Sequence, residues 1–183
     1  MRKIIFIATT LLFLCLANFA QTKYQPTHLS FKVKRLAHKL TKYDEVTGPR
    51  VGKAAHKSDQ YKVFEKLKLK ASDIELYELT NHKSPLVRAY ALTGLTDVNS
   101  CKTIDVMSKN QNDTATVDQQ FGCIGTCNTV IGYMLPFIKS YIKNNKISLT
   151  TTQSDVLEKI SDDHRKWADR GRKNSSADKD EEK

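Results

Sequence analysis

The chain has 183 residues, of which 39% are hydrophobic, and it contains 7 Gly and 4 Pro. That is enough apolar material for one globular core, and it excludes a multi-span membrane protein and a collagen-like or low-complexity chain. Thirty Lys and Arg against 20 Asp and Glu leave a formal net charge of +10, which favours anionic partners or plain solubility over any particular chemistry.

Residues 1–20 read as an address. Arg2 and Lys3 precede an uncharged, mostly apolar run from Ile4 to Ala17, too short to span a bilayer comfortably. Ala17-Asn18-Phe19-Ala20 then supplies small residues for cleavage after Ala20, with Asn18 departing from the preferred type. This is the pattern of a secretory signal peptide, so the mature chain is expected in the periplasm or outside the cell. Cys15 follows Leu14, too large a residue for a lipobox, so a lipoprotein is not expected. Without residues 1–20 the net charge is +8 and uneven. Between Lys23 and Lys70 there are 13 Lys and Arg against 4 Asp and Glu; the rest is nearly neutral.

Residues 21–28 read as an extended leader. Val33, Leu36, Ala37 and Leu40 then recur at helical spacing within 29–41. The polar side of that helix carries Lys32, Lys34, Arg35, Lys39 and Lys42, either a solvated face or a binding face for an anionic surface such as lipid, glycan or nucleic acid. Sequence-specific nucleic-acid binding is not expected, because no recognised module is present. Thr47-Gly-Pro-Arg-Val-Gly52 reads as a breaker-rich loop. Ser58 is placed to cap a helix to Lys70 presenting Tyr61, Phe64 and Leu67 or Leu69, which closes a basic helical N-terminal cap over 29–70.

Ser72 or Asp73 caps the next predicted helix, with Ile74, Tyr77 and Leu79 apolar, ending near Asn81-His82-Lys83. Ser84-Pro85 opens another, since Pro at the first helical position loses no hydrogen bond. Val87, Ala91 and Leu95 follow at steps of four beside Leu86, Tyr90 and Gly94. Asn99 or Ser100 caps a helix to Lys109, and Asn110 to Asp113 is a polar turn. Asp113 then caps a predicted helix carrying Val117, Phe121 and Ile124. Asn128 begins the most apolar helix, with Pro136 inside it and Gly132 four residues earlier, where a kink is expected. Thr151 or Thr152 and Asp162 start two short C-terminal helices, the second with Trp167, and 171–183 reads as a disordered charged tail. No run of alternating apolar residues is bracketed by a hairpin turn, so the expected fold is all-α and a single domain.

Residues 73–95 resemble a HEAT-type helical hairpin, of the short kind seen in phycobilisome-lyase-like repeats. The likeness is carried by Glu75-Leu-Tyr-Glu-Leu79, a short polar turn, and Pro85-Leu-Val-Arg-Ala-Tyr-Ala-Leu-Thr-Gly-Leu95. Residues 100–125 read as a degenerate copy, with Val117 thirty positions after Val87 and Phe121 thirty after Ala91. There Asp118 stands for Arg88, and Gly125 for Leu95. The wider layout is similar to small exported HEAT-repeat proteins of Bacteroidetes-type bacteria. The resemblance implies a short array of antiparallel helical hairpins over 71–145, capped by 29–70 and by helices in 146–170. Arg88 is placed to reach a loop carboxylate or carbonyl. The partner surface implied is the turn and helix start around His82, Lys83 and Arg88, with Tyr77 and Tyr90 nearby.

Cys15 leaves with the signal, and Cys101, Cys123 and Cys127 remain, an odd number. Either Cys101 bridges Cys123 or Cys127, contributing roughly 3 kcal/mol, or the three are small buried side chains. Asp113-Thr114-Ala115 resembles the O-glycosylation motif of exported Bacteroidetes proteins, and it also fits a plain helix cap at Asp113. Asp162-Asp163-His164 reads as a helix start more readily than as metal ligands. No nucleophile elbow, zincin, phosphate-loop or dinucleotide fingerprint is present, so no enzyme, cofactor or metal is expected. The expected function is an exported, monomeric interaction module for another envelope protein. The alternatives are an anionic-surface binder through the N-terminal cations and a cryptic enzyme.

Overall fold

The computed structural model describes residues 28–180. The segment 1–20 expected to be a signal peptide, and nearly all of the expected leader at 21–28, lie outside these residues. The elements in chain order are α1 (Phe31–Leu40), β1 (Glu45–Val51), β2 (His56–Lys57), α2 (Asp59–Lys70), α3 (Asp73–Leu79), α4 (Pro85–Asp97), α5 (Lys102–Lys109), β3 (Thr116–Gly122), β4 (Ile124–Thr129), α6 (Val130–Asn144) and α7 (Thr151–Asp180). The all-α expectation is therefore wrong. Among the described residues, seven helices pack with a four-stranded mixed sheet of order β2-β1-β3-β4.

The sheet arises where turn chemistry was mistaken for a loop and for a helix. β3 and β4 form an antiparallel hairpin in which Phe121 pairs with Ile124 across Gly122-Cys123. Gly122 takes a φ of +60°, the left-handed conformation that a two-residue hairpin turn requires. β1 then pairs in parallel with β3, Glu45 opposite Asp118 and Thr47 opposite Gln120. The register breaks between Thr47 and Val51, and Pro49 sits in that irregularity, where its missing N–H costs no ladder bond. Residues 116–129 are thus no second helical hairpin, and the thirty-residue repeat fails at that copy.

Hydrogen bonds from α4 and α2 tie β1 to the helices. β2 reaches only Arg50 and Val51 of β1, so the backbone of Thr47 needs a partner from elsewhere. Tyr90 of α4 supplies it: the Thr47 N–H donates to the Tyr90 hydroxyl (2.8 Å), which in turn approaches the Thr47 carbonyl at 3.2 Å. A buried backbone pair is thereby satisfied without a strand. The Gln60 amide donates to the Glu45 carbonyl just upstream.

The core runs from Leu29 to Ile160 as one cluster. Phe64 of α2 stacks on the Tyr90 ring with centroids 4.7 Å apart. Gly94 lets α3 close on α4, since a Cβ there would stand 3.1 Å from Leu76 Cδ2. The caps of α1, α2 and α3 are Ser30, Ser58 and Ser72, and Ser72 forms a reciprocal capping box with Glu75. Ser84 stands at the α4 N-cap position but makes no side-chain cap bond. At the C-terminus one helix from Thr151 to Asp180 replaces the two short helices, and it continues into the segment read as a disordered tail. Asp162 is therefore mid-helix.

Candidate anionic-surface interface

α1 buries Val33, Ala37 and Leu40 and turns every other side chain but the half-buried Leu36 to solvent. Lys32, Lys34, Arg35 and Lys39 are all exposed on it, and Lys42 is exposed just beyond its end. The helix contains no acidic residue, and His38 and Lys39 suit the negative end of its dipole. Among the described residues the ion pairs lie elsewhere: Lys62 with Asp59, Lys68 with Glu65 and Asp97, Arg88 with Asp113, Lys159 with Asp163, and Arg165 with Asp162. None uses a cation of α1. More positive charge lies beside α2. There a groove of about 490 Å³ has Pro49, Tyr61 and Leu69 among its apolar lining and Arg50, Lys57, Lys62 and Lys66 among its charged lining. The sequence carries no sign of this groove, because residues 47–52, most of β1 in its other wall, read as a loop and the short β2 carries no strand signal.

The partner surface centred on Arg88 is mostly spent inside the protein. Tyr90 is 1% exposed and bonded to Thr47, so it is not a surface residue at all. Arg88 clamps Asp113 with two bonds, Nε to Oδ2 at 2.6 Å and Nη2 to Oδ1 at 2.8 Å. Its remaining nitrogen donates to the carbonyls of His82 and Lys83. The two side chains are 13% and 12% exposed. Arg88 therefore joins the α3–α4 turn to the turn before β3. Asp113 also accepts from the Ala115 N–H, leading the chain into a strand where a helix was expected.

His82 is half-buried, and its Nδ1 accepts from the Ser84 N–H at 3.0 Å. Burial first, then the charges of Lys83 and Arg88, hold its pKa below the usual imidazole value. Tyr77 is half-buried beneath Lys102 and Lys109, whose amines stand 5.3 and 4.8 Å from its ring centre. Of the five predicted residues, Lys83 alone is fully exposed.

The cysteine expectations also change. Cys101, Cys123 and Cys127 are free and exposed, so they are neither bridged nor buried core. Cys101 precedes α5, Cys123 lies in the β3–β4 turn, and Cys127 is on β4. Burial, and then the neighbouring Asp118, raise the Cys127 thiol pKa, which disfavours the nucleophilic thiolate. Thr114 is exposed before β3 and borders a hollow of about 340 Å³ whose lining includes Lys159, Trp167 and Arg170. His164 belongs to this hollow too. Its Nδ1 and the Asn128 Oδ1 both press against Gly132, where an added Cβ would meet them at 2.6 and 2.5 Å. Among the described residues no three His, Cys, Asp or Glu side chains are grouped to hold a metal ion, and no helix is long and apolar enough to cross a membrane.

No family model matches the chain, and neither a curated protein nor a solved structure does so.

Proposed function

We propose that this protein is a binding domain that docks on an anionic surface through α1 and the positive rim beside α2. The observation that carries the reading is the state of the charges. Lys32, Lys34, Arg35, Lys39 and Lys42 are exposed, carried on or just after a helix without acids, and left out of every ion pair of the described residues. Charges held this way attract a polyanion at little desolvation cost. The rival surface around Arg88 offers a partner little, because Arg88 and Tyr90 already have their bonds filled. Export through the segment 1–20 would bring α1 to the lipids and glycans of an envelope.

The test is binding of the chain from Gln21 to an immobilised polyanion such as heparin across a salt series. Among the described residues the core begins at Leu29, so this chain keeps every core residue described. Affinity is expected to fall steeply with salt, and Lys32→Glu with Arg35→Glu to flatten the dependence. Salt-independent binding, or binding unaffected by the double reversal, would sink the reading. A discrete protein retained from envelope extract at high salt would restore the protein-partner alternative.

A further inference from the structure

The end of the molecule where α1 and α3 begin and α2 finishes is held by one carboxylate. Glu75 Oε1 accepts from the Ser30 N–H at 2.8 Å. Its Oε2 accepts from the Ser72 N–H at 2.9 Å and from the Ser72 hydroxyl at 3.1 Å. Ser30 caps α1, Ser72 caps α3, and Ser72 stands two residues after the end of α2. Three large apolar side chains are left in water at this end: Phe31 at 78% exposure, Leu69 at 76% and Ile74 at 56%. They are half of the six large hydrophobic residues so exposed among the described residues.

Positive charge surrounds them. Lys34 and Arg35 lie three and four residues after Phe31, hence on its face of α1, and Lys32 adjoins it. Lys66 lies one turn before Leu69, and Lys70 follows it. Asp73 is an exposed carboxylate beside Ile74, while Glu75 is occupied in the tie.

Resting on the anionic-surface reading, we infer that this corner docks on an anionic lipid bilayer, with Phe31, Leu69 and Ile74 entering the headgroup region and the flanking cations meeting lipid phosphates. The pairing of apolar anchors with cations selects the occupant. A glycan or nucleic acid offers negative charge but no apolar phase to receive three such side chains. A second copy would bring the same cations face to face. An anionic bilayer satisfies both sets, as it does for interfacial helices with apolar and basic faces.

The experiment is flotation of the chain from Gln21 with vesicles of phosphatidylglycerol and phosphatidylcholine in equal parts, and with phosphatidylcholine alone. Heparin binding and sedimentation are run in parallel on each variant. The expected result is recovery on the mixed vesicles only. Phe31→Ser, Leu69→Ser and Ile74→Ser together should weaken it about tenfold or more while leaving heparin binding unchanged. Each of Lys32→Glu and Arg35→Glu should weaken both by about fivefold or more. Should the triple variant unfold, Phe31→Ser alone carries the comparison, because that side chain has little to lose in the fold. Heparin binding without vesicle binding overturns the lipid inference and leaves the proposed function standing. So does vesicle binding indifferent to the apolar substitutions. Self-association abolished by the triple variant, without lipid binding, would assign the corner to a second copy instead. Failure to bind either probe overturns both readings.

Discussion

Arg35 in α1 and Arg88 in α4 are both arginines near the start of helices, yet they occupy opposite situations. Arg35 stands in water with cations around it and no carboxylate paired to it among the described residues. Arg88 is enclosed, clamped on Asp113 and bonded to two carbonyls. The difference teaches that a charged residue is open to a partner only while its bonds are unfilled, and is a structural joint when they are filled. The same test separates Tyr90, whose hydroxyl substitutes for a strand at Thr47, from a tyrosine displayed to a partner.

The sharpest way to break this contrast is to delete each residue and measure stability by urea unfolding. Arg88→Ala or Asp113→Ala should cost about 3 kcal/mol, because each leaves the other charge enclosed without its partner. The double variant should cost less than the sum of the two. Loss of under 1 kcal/mol from either would mean that Arg88 is available for a partner after all.

Tyr90→Phe should cost about 2 kcal/mol, since the stack on Phe64 remains while the Thr47 N–H loses its acceptor. Hydrogen exchange at the Thr47 amide should accelerate more than at the flanking β1 amides. Equal exchange in variant and parent would show that another group reaches Thr47.

Acidification should act at two sheltered histidines, His82 in the α3–α4 turn and His164 on α7. Burial depresses the pKa of His82, with Lys83 and Arg88 adding to it, and burial followed by Lys139 depresses that of His164. The folded state therefore binds these protons less readily than the unfolded state. Their contribution to stability is complete above pH 6.5, the ordinary imidazole value, and is lost as pH falls through that value toward the folded pKa. The melting temperature should drop over this window, and less so in His82→Asn. An identical drop in that variant would remove His82 from the account.

The smallest stability effect should come from α1. Lys34→Glu or Lys39→Glu should change unfolding free energy by about 0.5 kcal/mol or less, as befits exposed positions. The proposed function puts their effect on polyanion binding, so a large loss of stability would show that these cations have structural partners.

The sequence by itself determined the local features. Ser58 caps α2 as its pattern placed it, Ser72 rather than Asp73 caps α3, and Pro85 opens α4, because capping and φ restriction act within one turn of chain. The exposed cationic face of α1 was equally legible from its period, with Val33, Ala37 and Leu40 taking the core side. β3 and β4 left a weaker trace. Gly122 between Phe121 and Ile124 is a hairpin signal, but Val117, Phe121 and Ile124 fit helical spacing as well, and the repeat likeness favoured the helix. Only the tertiary structure decided that β1 would become a strand, because its partner β3 lies some seventy residues further on and parallel pairing has no local signature. It likewise decided that Tyr90 and Arg88 turn inward and that Phe31, Leu69 and Ile74 share one corner. Each of those outcomes depends on which distant backbone groups lack a partner, and no window of sequence contains that information.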